Sequence, residues 1–185
     1  MRARLALFLA TMLALYQMPA AAQSGAIIGP DGKPLSIKAG MTLKEAINQL
    51  KPEHQSYVLG GDSGWVLQIH DNASYEEVLM SLWSDEFQDY TFSYAAKVRV
   101  ISIYSPKYKT KEGVHVGMLI ADAEKKLGKI KSIYTSEPTF EEYAVFTNMP
   151  KGITFGVSGG ILEEGKRETQ RYSPDARITK MTVTD

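Results

Sequence analysis

A four-residue signature and the apolar stripe behind it limit this chain more than any other feature. Thr42-Leu-Lys-Glu45 has the spacing of a capping box, in which a hydroxyl and a carboxylate reciprocally satisfy orphan backbone amides. Leu43, Ala46, Ile47 and Leu50 then recur at i, i+3, i+4 and i+7, and Pro52 stops the run. A helix this short is marginal alone in water, so its stripe must be laid against another element. The neighbouring apolar segments are short, partly alternating and bounded by Gly, Pro, Asn and Asp, which predicts a sheet as that element.

Read along the chain, Ala26-Ile-Ile28 and Leu35 to Ala39 bracket Gly29-Pro-Asp-Gly-Lys-Pro34, a tight reversal between short strands. Tyr57 to Leu59 and Trp65 to Ile69 read as strands joined by the Gly60 to Gly64 loop. Ser74-Tyr-Glu-Glu77 is a second capping-box spacing, and Tyr75, Val78, Leu79 and Leu82 predict a helix over 74–83. Tyr90 to Tyr94 and Lys97 to Ile103 read as a strand pair. Beyond Ser105-Pro106, Val114 to Val116 leads into a helix from Ile120 to Leu127, with Lys125 and Lys126 in its last turn and Gly128 as its stop. Strands follow at Ile130 to Thr135, Glu142 to Thr147 and Ile153 to Ser158, then a polar loop from Gly159 to Asp175 and a closing strand from Ala176 to Val183. The expected class is α+β, with two small helix-on-antiparallel-sheet modules. Residues 23–105 form a βαββαβ-like module, and residues 106–185 a mostly β module with one helix.

An internal echo runs across that boundary. Gly40-Met41, Ala46 and Leu50 recur as Gly117-Met118, Ala123 and Leu127, and Ala96-Lys-Val-Arg-Val100 is loosely matched by Ala176-Arg-Ile-Thr-Lys180. Both a duplicated unit and two independent helix-on-sheet units with similar helix entries account for it. The second segment lacks a counterpart of the Ser74 helix, and Leu119 stands where Thr42 caps the first.

The N-terminus reads as an address. Arg2 and Arg4 precede an apolar stretch from Leu5 to Leu15, and Pro19-Ala-Ala-Ala22 offers a small-x-small cleavage site after Ala22. This is the layout of a secretory signal peptide over residues 1–22, too short to span a bilayer, and it predicts a periplasmic or secreted protein with no later transmembrane segment. With no cysteine in the chain, disulfides, thiolate catalysis and Cys-based metal sites are excluded. The 21 basic and 21 acidic side chains balance, with no basic run of the kind nucleic-acid binders show.

The run Gly40-Met-Thr-Leu-Lys-Glu-Ala-Ile-Asn-Gln-Leu50, together with Ala73-Ser-Tyr-Glu-Glu-Val-Leu-Met-Ser-Leu82 and Lys97-Val-Arg-Val-Ile101, resembles the short N-terminal domain of secretins and TonB-linked receptors, including the TcpQ/PilL type. The likeness covers residues 35–104. It implies a non-enzymatic interaction module accessory to a pilus, secretion or uptake apparatus. Gly117-Met118 through Ala123 to Gly128 resembles the helix entry of the β-lactamase inhibitor protein and outer-membrane assembly lipoprotein folds, and implies a binding module over residues 113–185. An inhibitor or immunity protein neutralising a cell-wall enzyme is the alternative it raises.

Reactive groups do not converge in the sequence. Gly61-Asp-Ser-Gly64 matches part of a serine-protease nucleophile loop, but Trp65 replaces the second Gly and hairpin turn chemistry explains the rest. His54, His70 and His115 have no metal-ligand spacing, and neither a metal nor a cofactor is indicated. His70 beside Asp71, or Glu141 beside Glu142, would have to serve a small hydrolase, yet neighbours on a strand face apart. Asn72-Ala-Ser74 is a formal glycosylation triplet that helix capping accounts for. The aromatics of the second segment are the stronger lead. Tyr134, Phe140, Glu141 and Tyr143 are the expected contacts for an envelope protein or cell-wall macromolecule.

Overall fold

Two short helices form where the stripes place them. The first, α1 (Leu43–Asn48), follows β1 (Ile27–Ile28) in a computed structural model that describes residues 27–61, 64–71, 74–84, 92–137 and 139–184. Its capping box is made: Thr42 Oγ1 accepts from the Glu45 amide at 3.2 Å, and the Glu45 carboxylate accepts from the Thr42 amide at 2.8 Å. That backbone hydrogen bond from Thr42, ahead of the one from its side chain, holds the Glu45 carboxyl below its ordinary pKa. The second, α2 (Ile120–Leu127), spans the expected residues. Leu119 supplies no side-chain cap, and a tightened first turn takes its place, with the Asp122 amide on the Leu119 carbonyl at 3.0 Å.

The strands are β2 (His54–Gly61), β3 (Gly64–Asp71), β4 (Ser74–Ser84), β5 (Val98–Ile103), β6 (Lys109–Thr110), β7 (Ile130–Thr135), β8 (Glu142–Phe146), β9 (Ile153–Gly160), β10 (Glu168–Thr169) and β11 (Tyr172–Thr184). The pair β1-β6 stands apart. The other nine make one antiparallel sheet in the order β10-β7-β8-β9-β11-β5-β4-β3-β2. The fold is therefore α+β with a dominant antiparallel sheet. The Ser105-Pro106 boundary falls in the connection after β5, and β11 pairs with β5 of the first segment as well as with β9 of the second.

The expected helix over 74–83 is a strand, β4, so the first segment is not βαββαβ-like. The run Val78 to Trp83 is an interior strand flanked by β3 and β5, and it carries apolar residues toward both faces. An extra residue, Leu79, sits between Val78 opposite His70 and Met80 opposite Ile69. That bulge shifts the alternation by one, and a bulged strand then imitates a stripe at i, i+1, i+4. Three smaller differences follow the same pattern. Leu35 to Ala39 makes no strand: the reversal closes with the Leu35 amide on the Ile27 carbonyl, and β6 takes the place beside β1. Phe92 to Tyr94 is not extended ladder, and residues 90 and 91 lie outside the described ones. The span from Gly159 to Asp175 is not wholly loop, because β9 runs to Gly160, β10 lies within it and β11 begins at Tyr172.

The corrected β4 completes a pseudo-two-fold pattern. Each half runs helix, then four strands of five residues or more, with the two-residue β10 added in the second, and the order β2, β3, β4, β5 mirrors β7, β8, β9, β11 across the β5–β11 ladder. Ser102 and Thr182, 80 positions apart, face one another at its centre. The helix entries match bond for bond. The Gly40 amide donates to the Val98 carbonyl and the Val98 amide to Met41; the Gly117 amide donates to the Ile178 carbonyl and the Ile178 amide to Met118. Gly40 and Gly117 have φ of 86° and 85°, which side chains tolerate poorly. One pair of bulges also agrees, Arg99 in β5 and Thr179 in β11 each standing outside the register.

Alternation then separates two faces. Leu67, Leu82, Ile101, Val183 and Ile153 form one apolar row, and Ile69, Met80, Ile103, Met181, Phe155, Ala144 and Ile133 another. Both helices bury their stripes there, Leu43 and Ala46 from α1, and Ile120, Ala123 and Leu127 from α2, in a single core. The opposite face contributes nothing to that core, and among the described residues no helix lies on it.

Candidate functional site

On the uncovered face the central row is hydroxyl-rich. Gln68, Ser81, Ser102, Thr182 and Thr154 sit side by side on five adjacent strands. Ser81 and Ser102 are buried, small side chains sunk between larger neighbours, and Thr182 Oγ1 is buried with no hydrogen-bond partner among the described residues. This row straddles the pseudo-two-fold axis and is nearly the same on both sides of it.

The flanking rows are not the same. In the first half the row is Val100, Trp83, Val66 and Leu59. Its equivalent in the second half is Lys180, Gly156, Tyr143 and Tyr134, continued by Glu168 on β10. Gly156 is the reason Lys180 can cross the sheet. A Cβ there would lie 3.2 Å from Lys180 Cβ and 3.3 Å from its Cε. The stem lies in this notch with its side chain 12% exposed and delivers Nζ to Glu141, 2.8 and 2.7 Å from the two carboxylate oxygens. The Tyr143 hydroxyl donates to Glu141 Oε2 at 2.7 Å and stands 3.3 Å from Lys180 Nζ, which also lies 5.3 Å from the Tyr143 ring centroid. Tyr134 stacks on Tyr143 with centroids 5.8 Å apart and planes 23° apart.

Electrostatics favour the charged forms of Glu141 and Lys180. Partial burial works to raise the Glu141 pKa, but the hydrogen bonds from Lys180 and Tyr143 outweigh it and leave the carboxyl below its ordinary value. For Lys180, burial pulls the other way and loses to Glu141 and Tyr143, so the ammonium is held above its ordinary pKa. The Tyr143 phenol is raised, first by burial and then by its hydrogen bond to Glu141. Beside them Phe140 is 78% exposed at a left-handed φ of 56°, costly for a bulky residue, in a turn tied by its amide to the Ser136 carbonyl.

Of Tyr134, Phe140, Glu141 and Tyr143, expected from the sequence as partner contacts, Tyr134, Glu141 and Tyr143 thus meet around one end of the uncovered face, with Phe140 next to Glu141 in the chain. Lys180 and Gly156 complete the group and were not among them. Lys180 lies 39 positions from Glu141, and a cross-sheet pairing of that kind has no local signature; the echo of Val100 in Lys180 was the available pointer.

The reactive candidates are dispersed. Glu142 turns away from Glu141 and accepts from the Gly160 amide at 3.1 Å. His54 lines a cavity of about 70 Å³ beneath the β1 reversal, with Asp31, Lys51, Met80 and Tyr108. His70 lies edge-on to Tyr57 with centroids 5.0 Å apart, and His115 Nδ1 is 2.8 Å from the Val116 carbonyl oxygen. Asp71 pairs with Lys107, which also reaches Glu77, and Ser105 donates to that carboxylate at 2.8 Å. Among the described residues no group of three or more His, Asp or Glu is placed to hold a metal ion. Asp62 and Ser63, the signal-like residues 1–22 with Ala22, and Asn72-Ala73 lie outside the described residues.

No family model matches this chain, and no curated protein sequence matches it. Among solved structures it is similar to the crystal structure of the uncharacterized protein yfeY from Escherichia coli, with a TM-score of 0.53 and 13% identity over 80% of this chain and 93% of that one, a likeness of fold alone.

Proposed function

We propose that this chain is an exported, non-catalytic interaction module of a bacterial envelope, which docks a protein or cell-wall macromolecule on the uncovered face of its sheet. The observation that carries this reading is the Lys180, Glu141, Tyr143 and Tyr134 group, built on one half of that face alone. Stacked tyrosines beside an anchored cation and an exposed Phe140 give rigid aromatic area with little conformational entropy to lose, the makings of an interface centre. The address-like residues 1–22 support export to the periplasm or beyond. The halves 23–105 and 106–185 act as two modules sharing one sheet. An accessory role in a pilus, secretion or uptake apparatus rests on the Gly40 to Leu50 likeness, since the Ala73 to Leu82 part of that likeness lies in β4.

One observation favours a second reading. The Gly-Met helix entry that resembles the inhibitor-type folds occurs twice with matching hydrogen bonds, so the likeness extends to both halves. That supports an inhibitor or immunity protein neutralising a cell-wall enzyme.

Affinity capture from envelope extract separates these readings. Pilus, secretion or uptake components should co-purify with the wild type and be lost with the Tyr134→Ala/Phe140→Ala double variant. Capture of a single wall hydrolase or lactamase moves the assignment to the inhibitor. Equal capture by wild type and variant sinks the tyrosine patch, and a catalytic activity abolished by His70→Ala in folded protein would return the enzyme class.

A further inference from the structure

The halves also differ at their outer edges. β7 is not the last strand on its side: β10 lies antiparallel along it, with Glu168 opposite Tyr134 and Thr169 opposite Ile133. The pseudo-equivalents of Tyr134 and Ile133 are Leu59 and Val58 of β2, and among the described residues no strand pairs with β2 on its outer side. We propose that this edge is where a second copy of the chain docks, β2 against β2 around a two-fold axis, joining two sheets into one.

Several features of β2 select that occupant. An edge strand turns the N–H and C=O of every second residue outward, and only another extended strand satisfies such a row. β2 presents eight residues, His54-Gln-Ser-Tyr-Val-Leu-Gly-Gly61, against the two of β10. It contains no Lys, Arg, Asp, Glu or Pro, the residues that ordinarily keep sheet edges apart, whereas β10 sits in Lys166-Arg-Glu-Thr-Gln-Arg171. Leu59 is 44% exposed at this edge. A copy of β2 brings no like charges into opposition. An antiparallel register that sets Gln55 opposite Leu59 of the second copy also keeps the residues of each face together, Ser56 and Val58 on the helix-covered side and Gln55, Tyr57 and Leu59 on the other.

Sedimentation of the purified chain across a concentration series tests this. The expected mass rises from one chain to two, and Leu59→Lys and Gln55→Lys each weaken association by about tenfold or more, because a lysine on an edge strand opposes the addition of another strand. Thermal melts at the dilute end should show both variants folded, and Ile161→Lys, an exposed apolar site elsewhere, should dimerise like the wild type. Amide exchange in β2 should slow as the concentration rises. A one-chain mass at every concentration overturns the proposal, as does a dimer indifferent to both lysines. Full protection of the β2 amides in the monomer would also overturn it, since the chain itself would then cover the edge.

Discussion

Lys180 and Val100 occupy equivalent places in the two halves of one sheet and do opposite things. Val100 stands beside Trp83 in an apolar row; Lys180 lies over Gly156 and carries its charge to Glu141. On the helix-covered face the same operation exchanges like for like: Met181 with Ile101, Val183 with Ile103, Phe155 with Leu82. The difference follows from packing. Residues beneath α1 and α2 fill a close-packed core, where a polar atom without a partner or a missing methylene is costly. Residues on the other face lie outside that core, so one half can carry a charged aromatic group and the other a hydrophobic row on the same scaffold.

The comparison breaks first, if it breaks, in the core. Phe155 and Leu82 are both fully buried at equivalent positions. Phe155→Ala should cost about 3–5 kcal/mol and Leu82→Ala about 2–5 kcal/mol, read from urea unfolding at constant m. Comparable losses in one cooperative transition support a single core under two-fold constraint. Two separable transitions would mean that the halves fold apart and share little.

The next effect belongs to one half only. Lys180→Met removes the hydrogen-bonded partner of Glu141 and should cost about 2 kcal/mol near neutral pH. Val100→Met at the equivalent site should change stability far less. The pH dependence follows from the shifts. Glu141 is held below its ordinary pKa, so its stabilisation is present above the unfolded-state value and disappears as the pH falls through the folded one. Lys180 is held above its ordinary pKa, so its share is complete below the unfolded-state value and disappears as the pH rises through the folded one. The gap between wild type and Lys180→Met, measured by thermal melting, should therefore narrow at both ends and be widest between. A gap that does not vary with pH would mean that the pair contributes packing alone.

What could be read in the chain divides along the same line. α1 and α2 were legible because stripe and stop, and for α1 the capping box, are all local, and the strands at 98–103, 130–135, 142–146 and 153–158 because they alternate or carry β-branched and aromatic residues. β4 was not. Its bulge at Leu79 spoiled the alternation, and an interior strand with apolar residues on both faces has no period of its own. The missing counterpart of a Ser74 helix in the second half was itself the clue, because its equivalent there is β9, a strand. At the site, Tyr134, Glu141 and Tyr143 could be placed by alternation within one hairpin. Lys180 and Gly156 depend on long-range register, which no window of sequence contains.

The smallest expected effect tests whether the matched helix entries are equally dependent on their caps. Thr42 Oγ1 accepts from the Glu45 amide; Leu119 offers no side-chain acceptor, and the Asp122 amide donates to the Leu119 carbonyl instead. Thr42→Ala should cost about 1 kcal/mol, most of it from the orphaned amide. At Leu119 there is no cap to lose, so Leu119→Thr should leave stability within about 0.5 kcal/mol of the wild type, a hydroxyl offsetting the leucine contact it replaces. Amide exchange in the first turn of each helix distinguishes the mechanisms. Glu45 should exchange faster in Thr42→Ala, while Asp122 in Leu119→Thr should hold or slow. If Thr42→Ala is silent in both stability and exchange, then the backbone bonds of Gly40 and Met41 to Val98 hold α1 in place by themselves, as the matching pair from Gly117 and Met118 to Ile178 does for the uncapped α2.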